Sequence, residues 1–139
     1  AESLQEAMLN IKALKQLIVM DACQSGGSVE VLAQRGAPEE KAIALLSRSS
    51  GIHVMAAAGS EQYATEFESL GHGLFTYALL KGLSGEADGA PKDGKVTIYE
   101  LKSYLDDQVP ELSILYKGSP QYPHTFSRGQ DFPIVIVED

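Results

Sequence analysis

The sequence predicts an α/β fold, a layered domain built around a mostly parallel sheet. Three short apolar runs, at residues 17–22, 52–58 and 132–137, alternate with amphipathic segments of helical period. Continuous apolar runs of this length are typical of strands that are covered on both faces. The 139 residues are enough for one domain with a buried core. The expected order of elements is helix, strand, helix, strand, helix, helix, strand.

Four helices are predicted, over residues 3–16, 38–49, 73–83 and 97–109. The first repeats apolar residues at spacings of three and four and begins with the capping-box pair Ser3 and Glu6. The last begins with a second pair of this type, Thr97 and Glu100, and we expect Pro110 to end it. We expect residues 59–71 and 84–94 to form polar surface loops and residues 113–130 to be irregular.

Composition excludes several classes of protein. The net charge of −8 argues against a nucleic-acid partner, because such proteins normally carry a basic patch. No apolar run approaches the roughly 20 residues that span a bilayer, so no membrane association is expected. The chain has one cysteine, which cannot form an internal disulfide and suits a reducing compartment. Its first residues also lack the basic and apolar pattern of a signal peptide, and we therefore expect a cytoplasmic protein.

The most informative motif begins at the end of the first apolar run and overlaps its last two residues. Residues 21–27 read Asp-Ala-Cys-Gln-Ser-Gly-Gly, which places the only cysteine, Cys23, where a buried strand opens into a glycine-rich turn. A strand end fixes a side chain firmly, and glycines let backbone approach a bound molecule. From the spacing alone, a buried structural thiol and a nucleophile are both open.

This motif resembles the nucleophile motif of the caspase-like cysteine peptidases, in particular the metacaspases and the bacterial caspase homologues. Other segments resemble the family in the same order along the chain. They are Ile-His-Val-Met-Ala-Ala-Ala-Gly-Ser at 52–60, Gly-Leu-Phe-Thr-Tyr-Ala-Leu-Leu at 73–80, Asp-Gly-Lys-Val-Thr at 93–97, Glu-Leu at 100–101, Gln-Tyr-Pro at 121–123 and Asp-Phe-Pro-Ile at 131–134. The resemblance implies a six-stranded sheet sandwiched between helices, of which residues 1–139 correspond to the C-terminal half.

In the family, strands earlier in the chain flank the nucleophile strand, and nothing here corresponds to them. The resemblance therefore implies that one side of strand 17–22 lacks a partner within these residues. An open apolar strand edge is a template for pairing with another polypeptide. We expect this edge to be covered by the N-terminal half of the peptidase domain, encoded by the same gene or a separate chain, or by a second copy of this chain.

The resemblance assigns the nucleophile to Cys23. A free thiol is only slightly ionised at neutral pH, so a neighbouring imidazole is normally required. The family places that histidine in a His-Gly pair upstream of the cysteine, and the first histidine here is His53. We expect His53 and His124 to be structural or surface residues without a catalytic role. His72 is followed by a glycine and imitates the family pair, but we expect it to begin a helix; a dyad of Cys23 with His72 is the alternative.

Residues around the cysteine are candidates for binding substrate. Asp21 lies two positions before Cys23, on the same side of the strand. The resemblance implies that Asp21 binds an Arg or Lys side chain of a peptide or protein substrate; otherwise it caps the turn by accepting backbone N–H groups. The resemblance also implies that Ala58 and Gly59 pair with the extended substrate and that Gln62 and Glu66 lie near the pocket. An ordinary solvated loop is the alternative for these four residues.

No cofactor is expected. Some metacaspases require calcium, and Asp88 and Asp93 lie in an acidic loop, but their spacing does not match the twelve-residue EF-hand pattern. We interpret the loop as a solvated turn and name no metal ligand. The function expected is a caspase-like cysteine endopeptidase that cleaves after Arg or Lys, inactive as this fragment alone. The alternative is an inactive pseudo-peptidase half that serves as an interaction or scaffold module.

Overall fold

The computed structural model describes residues 10–21, 51–57, 66–67, 72–89 and 91–138. Within these ranges the chain is a mixed α/β structure with three small sheets and two α-helices. The predicted site residues Cys23, Ala58, Gly59 and Gln62 lie outside the described residues, as does the predicted helix 38–49. The side chain of Glu66 is likewise not described.

The largest sheet has three strands. β1 (Lys15–Met20) pairs in parallel with β2 (Gly51–Ala56), and β2 pairs antiparallel with β6 (His124–Gly129). The sheet therefore holds one parallel and one antiparallel pair, where a mostly parallel sheet is predicted. β6 was not predicted, because its sequence, His-Thr-Phe-Ser-Arg-Gly, lacks an apolar run; its partner β2 supplies the hydrogen bonds that hold it.

The remaining strands form two-stranded antiparallel pairs. β3 (Glu66–Phe67) pairs with β4 (His72–Gly73), and β5 (Lys95–Thr97) pairs with β7 (Pro133–Ile136). The prediction of a buried closing strand at residues 132–137 is wrong in its environment. β7 joins β5 instead of the main sheet and is only half-buried, and Ile136 is 76% exposed.

β2 is covered on both faces, as its continuous apolar run predicts. On one face, Met55 and Ala57 belong to the main core cluster; on the other, Val54 and Ala56 are fully buried. β1 is less buried than predicted, and Val19 is 39% exposed. β1 lies at the edge of the sheet, since in the described part of the chain β2 is its only partner strand.

The first helix predicted, at residues 3–16, extends too far. Asn10 is helical, but the following residues are not, and β1 begins at Lys15. Ile11 and Leu14, two of the apolar residues that share one face of the predicted helix, are about half exposed. The backbone of residues 15–16 pairs with β2 in the parallel register Lys15↔Gly51, so inter-strand hydrogen bonds take the place of the predicted last helical turn.

Two helices pack against one face of the sheet through the main core cluster. α1 (Leu74–Lys81) continues into a single π-helical turn (Gly82–Glu86), and α2 spans Ile98–Lys117. The α2 start is confirmed: Thr97 and Glu100 form the predicted capping box. Its predicted end is wrong, because α2 runs through Pro110 to a left-handed Gly118 cap.

The reason that α2 continues past Pro110 lies in its buried face. The apolar stripe of this helix persists on both sides of the proline, since Leu105 and Val109 are fully buried and Leu112 packs against the same core cluster. A proline inside a helix costs about 3 kcal/mol, and burying one such apolar side chain stabilises by about 1.5–3 kcal/mol. Packing of two or more residues therefore outweighs the penalty of the missing N–H.

Candidate functional site

The parallel strands β1 and β2 end side by side at the same end of the sheet, which is called its carboxyl edge below. Their final residues, Met20 and Ala56, are register partners, and the Ala57 N–H donates to the Met20 carbonyl at 2.9 Å. The chain therefore leaves both strands at the same edge, towards the motif of residues 21–27 and towards residues 58–59. In α/β sheets, ligands bind outside the carboxyl ends of the strands.

Asp21, the first residue after β1, is exposed, and its carboxylate contacts the beginning of α1. Oδ2 accepts hydrogen bonds from the Thr76 backbone N–H, at 3.2 Å, and from the Thr76 hydroxyl. α1 has no side-chain cap at its own N-cap residue, Gly73, so Asp21 supplies an acceptor for one of its unpaired N–H groups. Within the described residues, Asp21 thus accepts a backbone N–H from a helix 55 residues further along the chain.

The close approach of Asp21 requires a residue without a side chain at position 73. A Cβ placed on Gly73 would lie 2.9 Å from Asp21 Oδ2 and 3.1 Å from Oδ1. Gly73 has ordinary extended backbone angles, φ −69° and ψ 162°, so the glycine is needed for space and not for conformation. Neither Gly73 nor Thr76 was predicted to contact Asp21, because nothing in the spacing of the sequence indicates that contact.

The pairing of β3 with β4 brings a second predicted site residue to this place. The backbone of Glu66 is the register partner of Gly73, the residue against which the Asp21 carboxylate lies. Asp21 and the backbone of Glu66 therefore both lie beside Gly73 at the start of α1. Covalent connectivity alone limits the distance between the Cα atoms of Asp21 and Cys23 to about 7.6 Å.

Gln121 anchors the chain just before the predicted substrate-pairing residues. Its side chain is buried, and Nε2 donates to the Ala57 carbonyl at 2.7 Å. This bond fixes the end of β2, from which the chain continues to Ala58 and Gly59. In the sequence, Gln121 stands out only as part of a segment that resembles the peptidase family. A buried glutamine in a proline-containing connection gives no indication of its partner until the sheet is assembled.

The three histidines occupy different positions. His53 lies inside β2 and is fully buried, its ring against those of Tyr99 and Phe132, and Nε2 lies 3.2 Å from the Gln130 carbonyl oxygen. A structural role, as expected, fits this environment. His124 begins β6 opposite Ala56, at the carboxyl edge of β2. The backbone of His72 lies in β4, directly before Gly73, which places it beside Asp21.

The acidic loop brings together three carboxylates, of Asp88, Asp93 and Glu100, within 4.8 Å of one another. Backbone N–H groups already occupy them. Asp88 accepts from residues 93 and 94 at 3.1 and 2.9 Å, and Glu100 accepts from residues 89 and 97 at 2.8 and 3.0 Å. Asp93 accepts the backbone N–H of residue 95 at 3.0 Å, and together these bonds hold the loop against the start of α2.

A cleft of about 450 Å³ lies along the first half of α2. Its wall includes Tyr99, whose hydroxyl donates to the Gly129 carbonyl at 3.0 Å, and Gly129 pairs with Gly51 at the beginning of β2. The cleft is therefore at the opposite end of the sheet from Asp21. Burial, together with a 2.8 Å hydrogen bond to Glu86, raises the pKa of Tyr104 in this cleft well above its ordinary value.

Comparisons with known proteins identify no relative. No protein-family model, no curated protein and no solved structure matches the chain. Among the residues described here, no helix is both long and apolar enough to cross a membrane. What can be said of function therefore rests on the residues at the carboxyl edge of the sheet.

Proposed function

We propose that this chain is the nucleophile-bearing part of a caspase-like cysteine endopeptidase that cleaves after Arg or Lys. One observation carries the proposal: an exposed aspartate, anchored by the first turn of α1, lies at the carboxyl end of β1, two residues before the only cysteine. This arrangement supports a thiol and an anionic recognition group at one edge of a sheet. The finer fold proposed is the caspase-like sandwich, and the proposed compartment is the cytoplasm.

The proposed chemistry begins with Cys23. Its thiolate attacks the carbonyl carbon of the scissile bond, an imidazole protonates the leaving amine, and water then hydrolyses the thioester to release the acid and the thiol. Asp21 would bind the cationic side chain that precedes the scissile bond, because a solvent-accessible carboxylate forms charge-assisted hydrogen bonds with a guanidinium or ammonium group. The exposure of Asp21 supports this role, since a buried carboxylate could not meet substrate.

Backbone pairing would hold the peptide in an extended form. In this proposal Ala58 and Gly59 offer their N–H and carbonyl groups to the substrate, as in other cases of strand addition. The buried bond from Gln121 to the Ala57 carbonyl supports it by fixing the direction in which the chain leaves β2. Gln62 and Glu66 would line the pocket. The register pair of Glu66 with Gly73 supports that position for Glu66, since Gly73 contacts Asp21.

The imidazole is proposed to come from the N-terminal half of the peptidase domain. The open edge of β1 supports this: β1 is an apolar strand with one partner strand in the described ranges, and Val19 is 39% exposed. A further parallel strand on this edge would cover β1 and would end beside Asp21 and Cys23. A histidine at the end of that strand would therefore come close to the thiol.

One observation favours a second arrangement within this chain. The backbone of His72 immediately precedes Gly73, which lies against the Asp21 carboxylate. The backbone of His72 therefore lies near the carboxyl end of β1. A dyad of Cys23 with His72 would make the chain a thiol hydrolase that requires no second polypeptide.

Labelling of Cys23 tests these assignments. The chain is treated with an arginyl fluoromethyl ketone, alone and with the polypeptide encoded immediately upstream, and adducts are counted by mass spectrometry. If the peptidase proposal is right, labelling of Cys23 requires the upstream polypeptide. The arginyl reagent then labels Cys23 more than an alanyl analogue of the reagent does. If Cys23 is labelled in the absence of the upstream polypeptide, and this labelling is lost in His72→Ala but not in His124→Ala, the dyad of Cys23 with His72 is supported. Equal, slow labelling by both reagents in every condition identifies a scaffold module and refutes the peptidase.

A further inference from the structure

Thr76 meets the Asp21 carboxylate with two donors, its backbone N–H and its hydroxyl, and both go to the same oxygen, Oδ2. Within the described residues no group bonds Oδ1. A carboxylate held through one oxygen by a helix start has little rotational freedom. Its second oxygen keeps its lone pairs for a ligand.

The geometry points to Thr76 as a positioning residue, which orients the Asp21 carboxylate so that Oδ1 faces an incoming cationic side chain. This inference rests on the proposed function, because it refines how Asp21 recognises Arg or Lys. Thr76 touches neither the scissile bond nor the bound side chain in this account. It acts through Asp21, by fixing the carboxylate before the ligand arrives, so that less side-chain entropy is lost on binding.

Gly73 is the second part of the arrangement. Its missing side chain leaves the space that the carboxylate fills, at 2.9 Å from where a Cβ would be. Since the backbone angles of Gly73 suit any residue, Gly73→Ala keeps the local backbone and pushes the flexible carboxylate away from Thr76. This substitution therefore moves Asp21 without changing Asp21 or Thr76.

A purely structural role is the competing account. Asp21 caps α1, and loss of that cap would lower the stability of the chain. Stability alone does not distinguish the two accounts, because both expect it to fall. Affinity for a guanidinium ligand, measured on folded protein, does distinguish them: a cap with no part in recognition leaves that affinity unchanged.

The experiment measures the binding of agmatine, a small guanidinium compound, to the chain by titration calorimetry. Changes in the ¹⁵N NMR chemical shifts of α1 backbone amides give a second measurement. We expect the wild type to bind agmatine saturably and Asp21→Asn to lose this binding. In Thr76→Val the affinity should fall by about fivefold to tenfold, which corresponds to part of the energy of one charge-assisted hydrogen bond. Thr76→Ser keeps the hydroxyl and should restore wild-type affinity. Gly73→Ala should weaken binding, whereas Gly89→Ala, where an added Cβ meets atoms only at 3.6 and 3.8 Å, should not.

Two results would overturn the inference: no saturable agmatine binding by the wild type, or equal affinities in the wild type and in folded Thr76→Val. Folding of each variant is checked by its thermal midpoint. Cys23→Ser separates this inference from the peptidase proposal, because agmatine binding should persist without the thiol. If binding persists while Cys23 resists the arginyl reagent, the peptidase proposal fails and the role of Thr76 stands.

Discussion

Replacement of Gln121 by methionine tests how the end of β2 is held. Methionine has nearly the same length and volume as glutamine but cannot donate to the Ala57 carbonyl, which Gln121 Nε2 reaches at 2.7 Å. Ala57 is fully buried, and Gln121 is 3% exposed, so water cannot replace the lost donor without opening the core. A buried acceptor left without its partner costs about 1–3 kcal/mol.

The expected change in thermal midpoint follows from the size of the chain. With an unfolding entropy of about 2.1 cal/mol/K per residue, a loss of about 2 kcal/mol lowers the midpoint by roughly 7 °C. Calorimetry of the wild type and of Gln121→Met measures it. Gln108→Met is the matched control, because the hydrogen bonds of Gln108 are exposed on α2 and surface changes stay within about 0.5 kcal/mol.

The reasoning is refuted if Gln121→Met melts within about 1 °C of the wild type or of the Gln108→Met control, a margin equal to roughly 0.3 kcal/mol. The peptidase proposal adds a second expectation. Because the chain passes directly from Ala57 to Ala58 and Gly59, a loosened strand end should also slow labelling of Cys23 in the assay above. Slower labelling with an unchanged midpoint would contradict the mechanism argued here, since both effects arise from the same hydrogen bond.

Three further predictions concern α2 and its surroundings. Thr97→Ala removes the capping box, in which Thr97 Oγ1 accepts the Glu100 N–H, and should lower the free energy of unfolding by about 1 kcal/mol; urea denaturation measures it, and a change below about 0.3 kcal/mol would contradict the cap's role. Pro110→Ala should raise the denaturation midpoint, because alanine restores a helical N–H donor that proline lacks, and a lower midpoint would show that the ring packs usefully. The raised pKa of Tyr104 means that the folded state keeps the phenol protonated. Its stabilising contribution is therefore present below about pH 10 and is lost as the pH rises towards the folded-state pKa. The free energy of unfolding should consequently fall less in Tyr104→Phe than in the wild type between pH 8 and pH 10.5. Equal falls in the two proteins would argue against the Tyr104 phenol as the cause.

The sequence determined those elements whose signals are local. The apolar run at residues 52–58 predicted a strand buried on both faces, and Ile52 to Ala57 are indeed buried in and just after β2. The capping box at Thr97 marked the start of α2 correctly, because both partners lie within one turn of the chain. Asp21 was singled out from its position, as a charged residue at the end of an apolar run, and from the resemblance of its motif to the peptidase family.

Tertiary structure decided what local signals cannot carry. α2 passes through Pro110 because Val109 and Leu112 pack on either side of it, and β6 forms from a polar sequence because β2 offers it a hydrogen-bonding edge. The contacts of Asp21 with Thr76 and Gly73 join residues more than 50 positions apart. Neither segment of the sequence predicts this contact by itself. The contact forms because the sheet and α1 pack together and because Gly73, which has no side chain, leaves space for the Asp21 carboxylate.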